Sequence, residues 1–420
     1  MDFEKLLKPI DCTCGKTHTC DIKKVVIKPG AVEELSAMVT EWNNIVVIAD
    51  KNTYAVCGDA VVSQLGDKLE NKIVFECDSF LVPNEDAIEK AQAVLSDKTD
   101  LIIGIGAGVI QDLAKYVSFY AKLPYFIVAT APSMDGYASV GAAMITGNMK
   151  VTYTCHVPYA IIGDTEVLRN APMDMIKSGY GDILGKFSCL NDWKLSTVVN
   201  DEYFCDYVYD LTYYMLIKTK DLGPKLLKRD AKAIQTLMEA LVGVGIAMAL
   251  VGNSRPASGS EHHMSHYFEV VGIMRNEPYF HHGIDVVYSA VFVQKLREQI
   301  LALDTPNSEV AFDRNKWESK IREVYDNAAE GVIALQDKLG WYENSRAGIY
   351  ADKWDSIKAI LSEAPSSEEM LVYLDSIELD INEYKDIYKA EKLQNAMWFS
   401  KDLKDRYTVL WLYFSLFYRW

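Results

Sequence analysis

The sequence predicts a two-part fold, an α/β region built on a parallel, doubly wound sheet and then an all-helical region. Three observations predict it. Up to about residue 170, short apolar runs alternate with amphipathic stretches. Beyond residue 172, strand-like runs nearly vanish. Helical periodicity then continues to the end.

The elements follow in order. KVVI at 24–27 reads as a strand, and IVVIAD at 45–50 as a second, rich in β-branched residues and ending on Asp50. KIVFE at 72–76, LIIGIG at 101–106 and YFIVAT at 125–130 complete the strand set. Continuous apolar runs of this kind belong to strands covered on both faces, as in parallel sheets. Helices are expected near 31–42, 84–96 and 109–121, then over 203–220, 230–251, 285–301, 353–363 and 403–418. Pro172 suits the first turn of a helix. The domains are therefore drawn as 1–170 (nucleotide-binding α/β) and 171–420 (helical, metal- and substrate-binding).

Composition narrows the function classes. The chain has 420 residues, half of them hydrophobic, and a formal net charge of -16. That balance argues against nucleic acid, whose phosphates require clustered Lys and Arg. It leaves room for an anionic small molecule, because one helix N-terminus or Arg outweighs the global sign locally. Eight scattered cysteines in so long a chain point to reduced thiols and a cytoplasmic protein. No uninterrupted apolar run reaches the roughly 18 residues of a membrane span, so none is expected. WLYFSLFYRW reads as a packed terminal helix.

Three segments carry chemistry. In LIIGIGAGVIQD, Gly104, Gly106 and Gly108 stand between a buried strand and a helix. Glycines admit a pyrophosphate to the backbone, and the helix start offers N–H donors and a positive dipole end. The spacing is G-x-G-x-G, so a plain tight turn is the alternative. Asp50 at its strand end is placed to accept from a ribose, or to cap the next helix. TAPSMDGYAS (130–139) puts Thr130, Ser133, Asp135 and Ser139 at another strand's carboxyl end.

The third segment is a set. SGYGDILGKF carries Asp182, RPASGSEHHMSHYFE carries His262 and His266 four residues apart, and PYFHHGIDVV carries His282. Five of the seven histidines lie between 262 and 282. A carboxylate with two imidazoles suits a catalytic divalent ion with open positions. His263, about 100° around the helix from His262, and His281 are set aside. Arg255 is a candidate phosphate clamp or an ion-pair partner. Lys186 is a candidate for the same phosphate. DCTCGKTHTC groups Cys12, Cys14, His18 and Cys20. C-x-C-x3-H-x-C is not a standard zinc spacing and no partner knuckle follows, so it reads as a tight turn with reduced thiols.

At these residues the chain resembles the bacterial sn-glycerol-1-phosphate dehydrogenases, in the superfamily of iron-containing alcohol dehydrogenases, glycerol dehydrogenase and dehydroquinate synthase. IADKNTY, GIGAGVIQDLAKYVS, TAPSMDGYASVGAAM, GYGDILGKFSCLNDW, NSRPASGSEHHMSH, HHG and KDRYT carry the resemblance. It implies a Rossmann-like N-terminal domain and a dehydroquinate synthase-like helical metal domain. It implies Asp182, His262 and His282 as ligands of one Zn²⁺, Ni²⁺ or Fe²⁺. Gly106, Ala107 and Gly108 would cradle the pyrophosphate of NAD(H) or NADP(H). Asp50 would hold the adenosine ribose, with Asp112, Thr130, Ser133 and Ser139 completing the cofactor set. Asp135 and His266 would serve the reacting centre, and Asp135, Arg255 and Lys186 the substrate. Ala107 stands where many relatives carry Ser. The activity implied is reversible reduction of dihydroxyacetone phosphate to sn-glycerol 1-phosphate, in a homodimer. A glycerol or other polyol dehydrogenase, or a lyase like dehydroquinate synthase, is the alternative.

Overall fold

A computed structural model describes residues 1–77, 81–147, 149–307 and 311–420. The chain divides into two compact units, Met1–Ile183 with Ile217–Asn253, and Leu184–Leu216 with Ser254–Trp420. The chain passes between the units three times, after Ile183, Leu216 and Asn253.

The first unit is the α/β part. A short hairpin pairs β1 (Ile10–Asp11) with β2 (Thr17–His18). The main sheet contains β3 (Lys24–Lys28), β4 (Ile45–Asp50), β5 (Leu69–Phe75), β6 (Leu101–Gly106), β7 (Tyr125–Ala129) and β10 (Ala160–Asp164). Its order is β3-β10-β7-β6-β4-β5, all parallel. A second hairpin, β8 (Gly141–Thr146) with β9 (Met149–Thr154), lies outside it.

Alternation explains the continuous apolar runs. Ile45, Val47 and Ala49 face one core with Val61 and Leu65 of the helix Lys51–Leu65. Ile48 and Ile102 face the other, with Ile110, Leu113 and Val117 of the helix Gly108–Ala121. Both faces of the sheet are buried, so neither face of the central strands is polar.

Helix Ala231–Val251 belongs to this unit. By length and composition it is apolar enough to cross a membrane, yet 72% of its most apolar window is buried inside the protein. A helix apolar on all sides is a core helix when protein surrounds it. Its place in the first unit is why no single boundary divides the chain.

The second unit is helical among its described residues. Its long elements are Lys186–Asn200, Ser260–Arg275 and His282–Leu301. The aromatic tail folds as the helix Val409–Phe417, whose residues Val409–Phe414 are buried.

Candidate cofactor and metal site

In the first unit, β4 feeds β5 on one side and β6 feeds β7 on the other. The chain direction therefore reverses between β4 and β6, and open α/β sheets bind ligands outside the strand ends at such a point. Asp50 ends β4, Gly106 ends β6, and Thr130 follows β7.

Asp50 caps the helix that begins at Lys51. Its Oδ1 accepts the N–H groups of Asn52 and Thr53, both at 2.9 Å, and the Thr53 hydroxyl accepts the Asp50 N–H at 3.1 Å. The cap engages Oδ1 alone and leaves the carboxylate at the strand end.

The glycine turn is shaped by packing. A Cβ on Gly106 would lie 2.4 Å from the Cβ of Ile110, so only glycine lets strand and helix approach this closely. Ala107 is the N-cap of the helix Gly108–Ala121 and supplies no side-chain cap. The first-turn N–H groups there await an acceptor, which an anion satisfies.

The loop after β7 is held from several sides. The Tyr137 hydroxyl donates to Ala131 O at 2.6 Å, and Gln111 Nε2 donates to Tyr137 O at 3.2 Å. Lys115, fully buried, donates to Gly141 O at 2.5 Å and to Gly136 O at 3.4 Å, and its Nζ lies 3.5 Å from the Asp112 carboxylate. Burial pushes the Lys115 amine below its ordinary range, and Asp112 offsets part of that. Asp112 also accepts from Ala143 N–H at 3.0 Å, and the Ser139 hydroxyl donates to Gly136 O at 3.0 Å. Gln111 and Lys115 were missed in the sequence. Their four-residue spacing in GVIQDLAKYVS was the available signal.

Asp182 lies in the last turn of the helix Met173–Leu184. Its Oδ2 accepts the Asp135 N–H at 2.9 Å, and the Ser178 hydroxyl donates to Ser133 O at 3.0 Å. Contact this close requires Gly179, where a Cβ would stand 1.8 Å from Pro132 O. The glycine of SGYGD thus sets where its aspartate sits. After Leu184 the helix is interrupted at Gly185, the N-cap of the next. Lys186 opens that helix, buried, and donates to Ala257 O at 2.9 Å.

In the second unit three imidazoles gather. The ring centroids of His262 and His282 are 5.1 Å apart, those of His266 and His282 5.6 Å, and those of His262 and His266 6.0 Å. Ser260 secures the start of the first helix. Its N–H and hydroxyl both donate to Asp192 Oδ2, at 2.7 and 2.6 Å, and Arg297 pairs with the other oxygen at 2.8 Å.

Glu261 was not singled out in the sequence, yet it orients His262. Its Oε1 accepts from His262 Nδ1 at 2.6 Å and from Gly259 N–H at 2.9 Å. Burial alone would raise its pKa. The bonds from His262 and Gly259 and the Lys186 charge outweigh that and hold it below the usual value. An ionised acceptor assigns the proton to Nδ1, so Nε2 presents its lone pair. Metal-binding histidines are oriented in this way.

His263 is buried on the other side of the helix. Burial, aided by the charges of Arg406, Lys404 and Arg255, holds it well below its ordinary pKa and thus neutral. His281 is exposed and is the N-cap of the helix His282–Leu301. Arg255 is buried at 1% exposure, pairs with Glu202 at 2.7 Å and donates to Tyr407 O at 2.6 Å.

Similarity to known proteins agrees with this geometry. Residues 26–172 match the family described as iron-containing alcohol dehydrogenase. The iron-containing alcohol dehydrogenase of Corynebacterium glutamicum superposes with a TM-score of 0.60 at 17% identity, covering 93% of this chain and 90% of that one. Glycerol dehydrogenase of Schizosaccharomyces pombe gives 0.53 at 19% identity, covering 86% and 92%. At these identities the likeness speaks for the fold. Glycerol-1-phosphate dehydrogenase [NAD(P)+] of Halalkalibacterium halodurans is 31% identical over 344 residues, 79% of this chain and 86% of the relative. The enzyme of the same name from Bacillus velezensis is 34% identical over 331 residues, 76% and 81% of the two chains. Identity sustained over so much of both lengths means that the chain belongs to the glycerol-1-phosphate dehydrogenase [NAD(P)+] family of the iron-containing alcohol dehydrogenases.

Proposed function

We propose that this protein catalyses the reversible, metal-dependent reduction of dihydroxyacetone phosphate to sn-glycerol 1-phosphate with NADH or NADPH. The observation that supports the metal half of the reading is the buried Glu261–His262 pair, in which Nδ1 faces the carboxylate and Nε2 is the nitrogen available to a metal. Asp182, His262 and His282 form the ligand set, two imidazoles and one carboxylate. Such a donor set suits Zn²⁺, Ni²⁺ or Fe²⁺, and metal availability selects among them. The sequence relatives carry the substrate half.

When bound, the divalent ion polarises the carbonyl oxygen as a Lewis acid and the nicotinamide supplies the hydride. The chain does the rest. The backbone of Gly106–Gly108 binds the pyrophosphate at an uncapped helix start, and Asp50 accepts from the ribose. A carboxylate there repels a 2′-phosphate, which favours NADH over NADPH. Asp112, Thr130, Ser133 and Ser139 shape the nicotinamide end. Asp135 binds the substrate, and His266, beside the two ligand histidines and not itself a ligand, passes a proton to the new hydroxyl. Lys186 and Arg255 are the cationic candidates for the substrate phosphate. Eight scattered cysteines in a chain this long favour a cytoplasmic protein, and the family resemblance favours a homodimer.

The test is NADH oxidation with dihydroxyacetone phosphate, run with Zn²⁺, Ni²⁺ and Fe²⁺ in turn, beside glycerol oxidation. Activity on the phosphorylated triose alone is expected. Flat absorbance with every metal, or equal activity on glycerol, overturns the substrate. A His262→Ala or Asp182→Asn variant that keeps both metal and full activity overturns the ligand set.

A further inference from the structure

A second cluster of metal-binding side chains lies at the N-terminal hairpin, apart from the residues assigned to catalysis. The hairpin is minimal, with Ile10 paired to His18 and Asp11 to Thr17. Cys12 donates its N–H to Lys16 O at 3.1 Å and accepts from Gly15 N–H at 3.0 Å, which closes a turn around Cys14. Gly15 has φ +84, a left-handed conformation that a glycine adopts without strain. Two pairs of residues do not hold a hairpin unaided. This one is tied down through His18.

His18 is 1% exposed, and its Nδ1 lies 2.7 Å from Leu250 O in the last turn of the helix Ala231–Val251. A carbonyl oxygen only accepts, so Nδ1 carries the proton. Nε2 is left as a lone-pair donor, and it lies 3.4 Å from Cys14 Sγ. The ligand atoms of Cys12, Cys14 and His18 all lie within 4.8 Å of one another. Two sulfurs and an imidazole nitrogen converge on one point, and a backbone carbonyl orients the imidazole from behind. That is the arrangement of a zinc site with its outer hydrogen bond in place.

We propose that Cys12, Cys14 and His18 bind a zinc ion that pins the hairpin to the end of the helix Ala231–Val251. Binding deprotonates both thiols, so two protons leave for each ion taken up and affinity rises with pH. The ion is structural, because no residue assigned to the catalytic set belongs to the cluster. The spacing C-x-C-x3-H-x-C has no partner knuckle, unlike that of a two-knuckle finger. Here the geometry comes from a single turn and an imidazole whose tautomer is fixed at long range in sequence.

The experiment uses the full chain. Metal is removed with a chelator and Co²⁺ is added back. A thiolate-to-cobalt charge-transfer band in the near ultraviolet is expected, and the Asp182, His262 and His282 set holds no sulfur to produce it. The band should vanish in a Cys12→Ser/Cys14→Ser double variant and persist in Cys20→Ser. Elemental analysis should find one fewer zinc per chain in the double variant than in the wild type. The wild-type cobalt spectrum keeps the test decisive should the double variant fail to fold. No thiolate band in the wild type overturns the proposal. Equal zinc content in the wild type and a folded double variant also overturns it.

Discussion

Replacing Gly179 with alanine adds one methyl group on the face of the helix Met173–Leu184 that meets the loop after β7. The added carbon would stand 1.8 Å from Pro132 O and 2.8 Å from the carbonyl carbon, and its third neighbour is Leu241 at 3.1 Å. Neither backbone atom belongs to a flexible side chain, so the helix or the loop must retreat by roughly 1.5 Å to reach ordinary contact. Overpacking of this kind costs about 1–3 kcal/mol and occasionally more. Alanine's better helix propensity returns at most about 1 kcal/mol. The same retreat pulls the Asp182 carboxylate from the Asp135 N–H, now at 2.9 Å. Misplacement by about 1 Å near a reacting centre lowers turnover on the order of 100-fold. The expected result is a net loss of up to about 2 kcal/mol in urea unfolding once the full propensity gain is subtracted. Turnover should fall by about two orders of magnitude, with a weakened metal affinity. A variant with wild-type unfolding midpoint and kcat would refute the claim that this glycine positions the aspartate.

Other substitutions separate roles that coincide in one residue. Asn caps a helix about as well as Asp, so Asp50→Asn should keep stability while relaxing the preference for NADH over NADPH, read as a ratio of kcat/KM values. Asp50→Ala should also lose about 1 kcal/mol, seen in urea unfolding. Glu261→Gln keeps the shape and removes the charge behind His262, and metal affinity should fall about 10–100-fold by competition with a chelator. Asp285 tests the pH dependence. Burial raises its carboxyl well above the ordinary value, against the hydrogen bond from Tyr388. The fold therefore binds a proton that the unfolded chain releases. This contribution is complete below the unfolded pKa and is lost as pH rises through the folded one. Asp285→Asn should flatten that part of the melting profile and leave the variant at least as stable at neutral pH. A profile that still falls in parallel with the wild type would exclude Asp285 as its source.

How much was legible depended on the range of the signal. IVVIAD and LIIGIG were read to the residue because strands buried on both faces leave unbroken β-branched runs. The hairpin Gly141–Thr154 was not, because GAAMIT packs small residues with little alternation. The helix Lys51–Leu65 was missed although Asp50 and Thr53 form its capping box. Expected over 31–42, a helix survives only as a short turn over Ala31–Glu34 and a helix over Leu35–Met38. The histidine cluster was visible because the residue is rare in this chain. Glu261 and Lys115 were not, since each matters through a hydrogen bond that exists only after folding. Cys12, Cys14 and His18 lay in plain sight, and the carbonyl that orients His18 sits 232 residues away.

The bare start of the helix at Ala107 has a thermodynamic consequence. On the proposed function, a nucleotide bound there would serve as that helix's N-cap, and saturating cofactor would raise the melting temperature by linkage. Conversely, Ala107→Ser would offer the helix a cap of its own. The empty protein would gain about 1 kcal/mol, and the phosphate would then compete with a side chain for the same N–H groups. On that reading, resting stability and nucleotide affinity would be set against each other at one methyl group, with this chain's alanine on the side of the ligand.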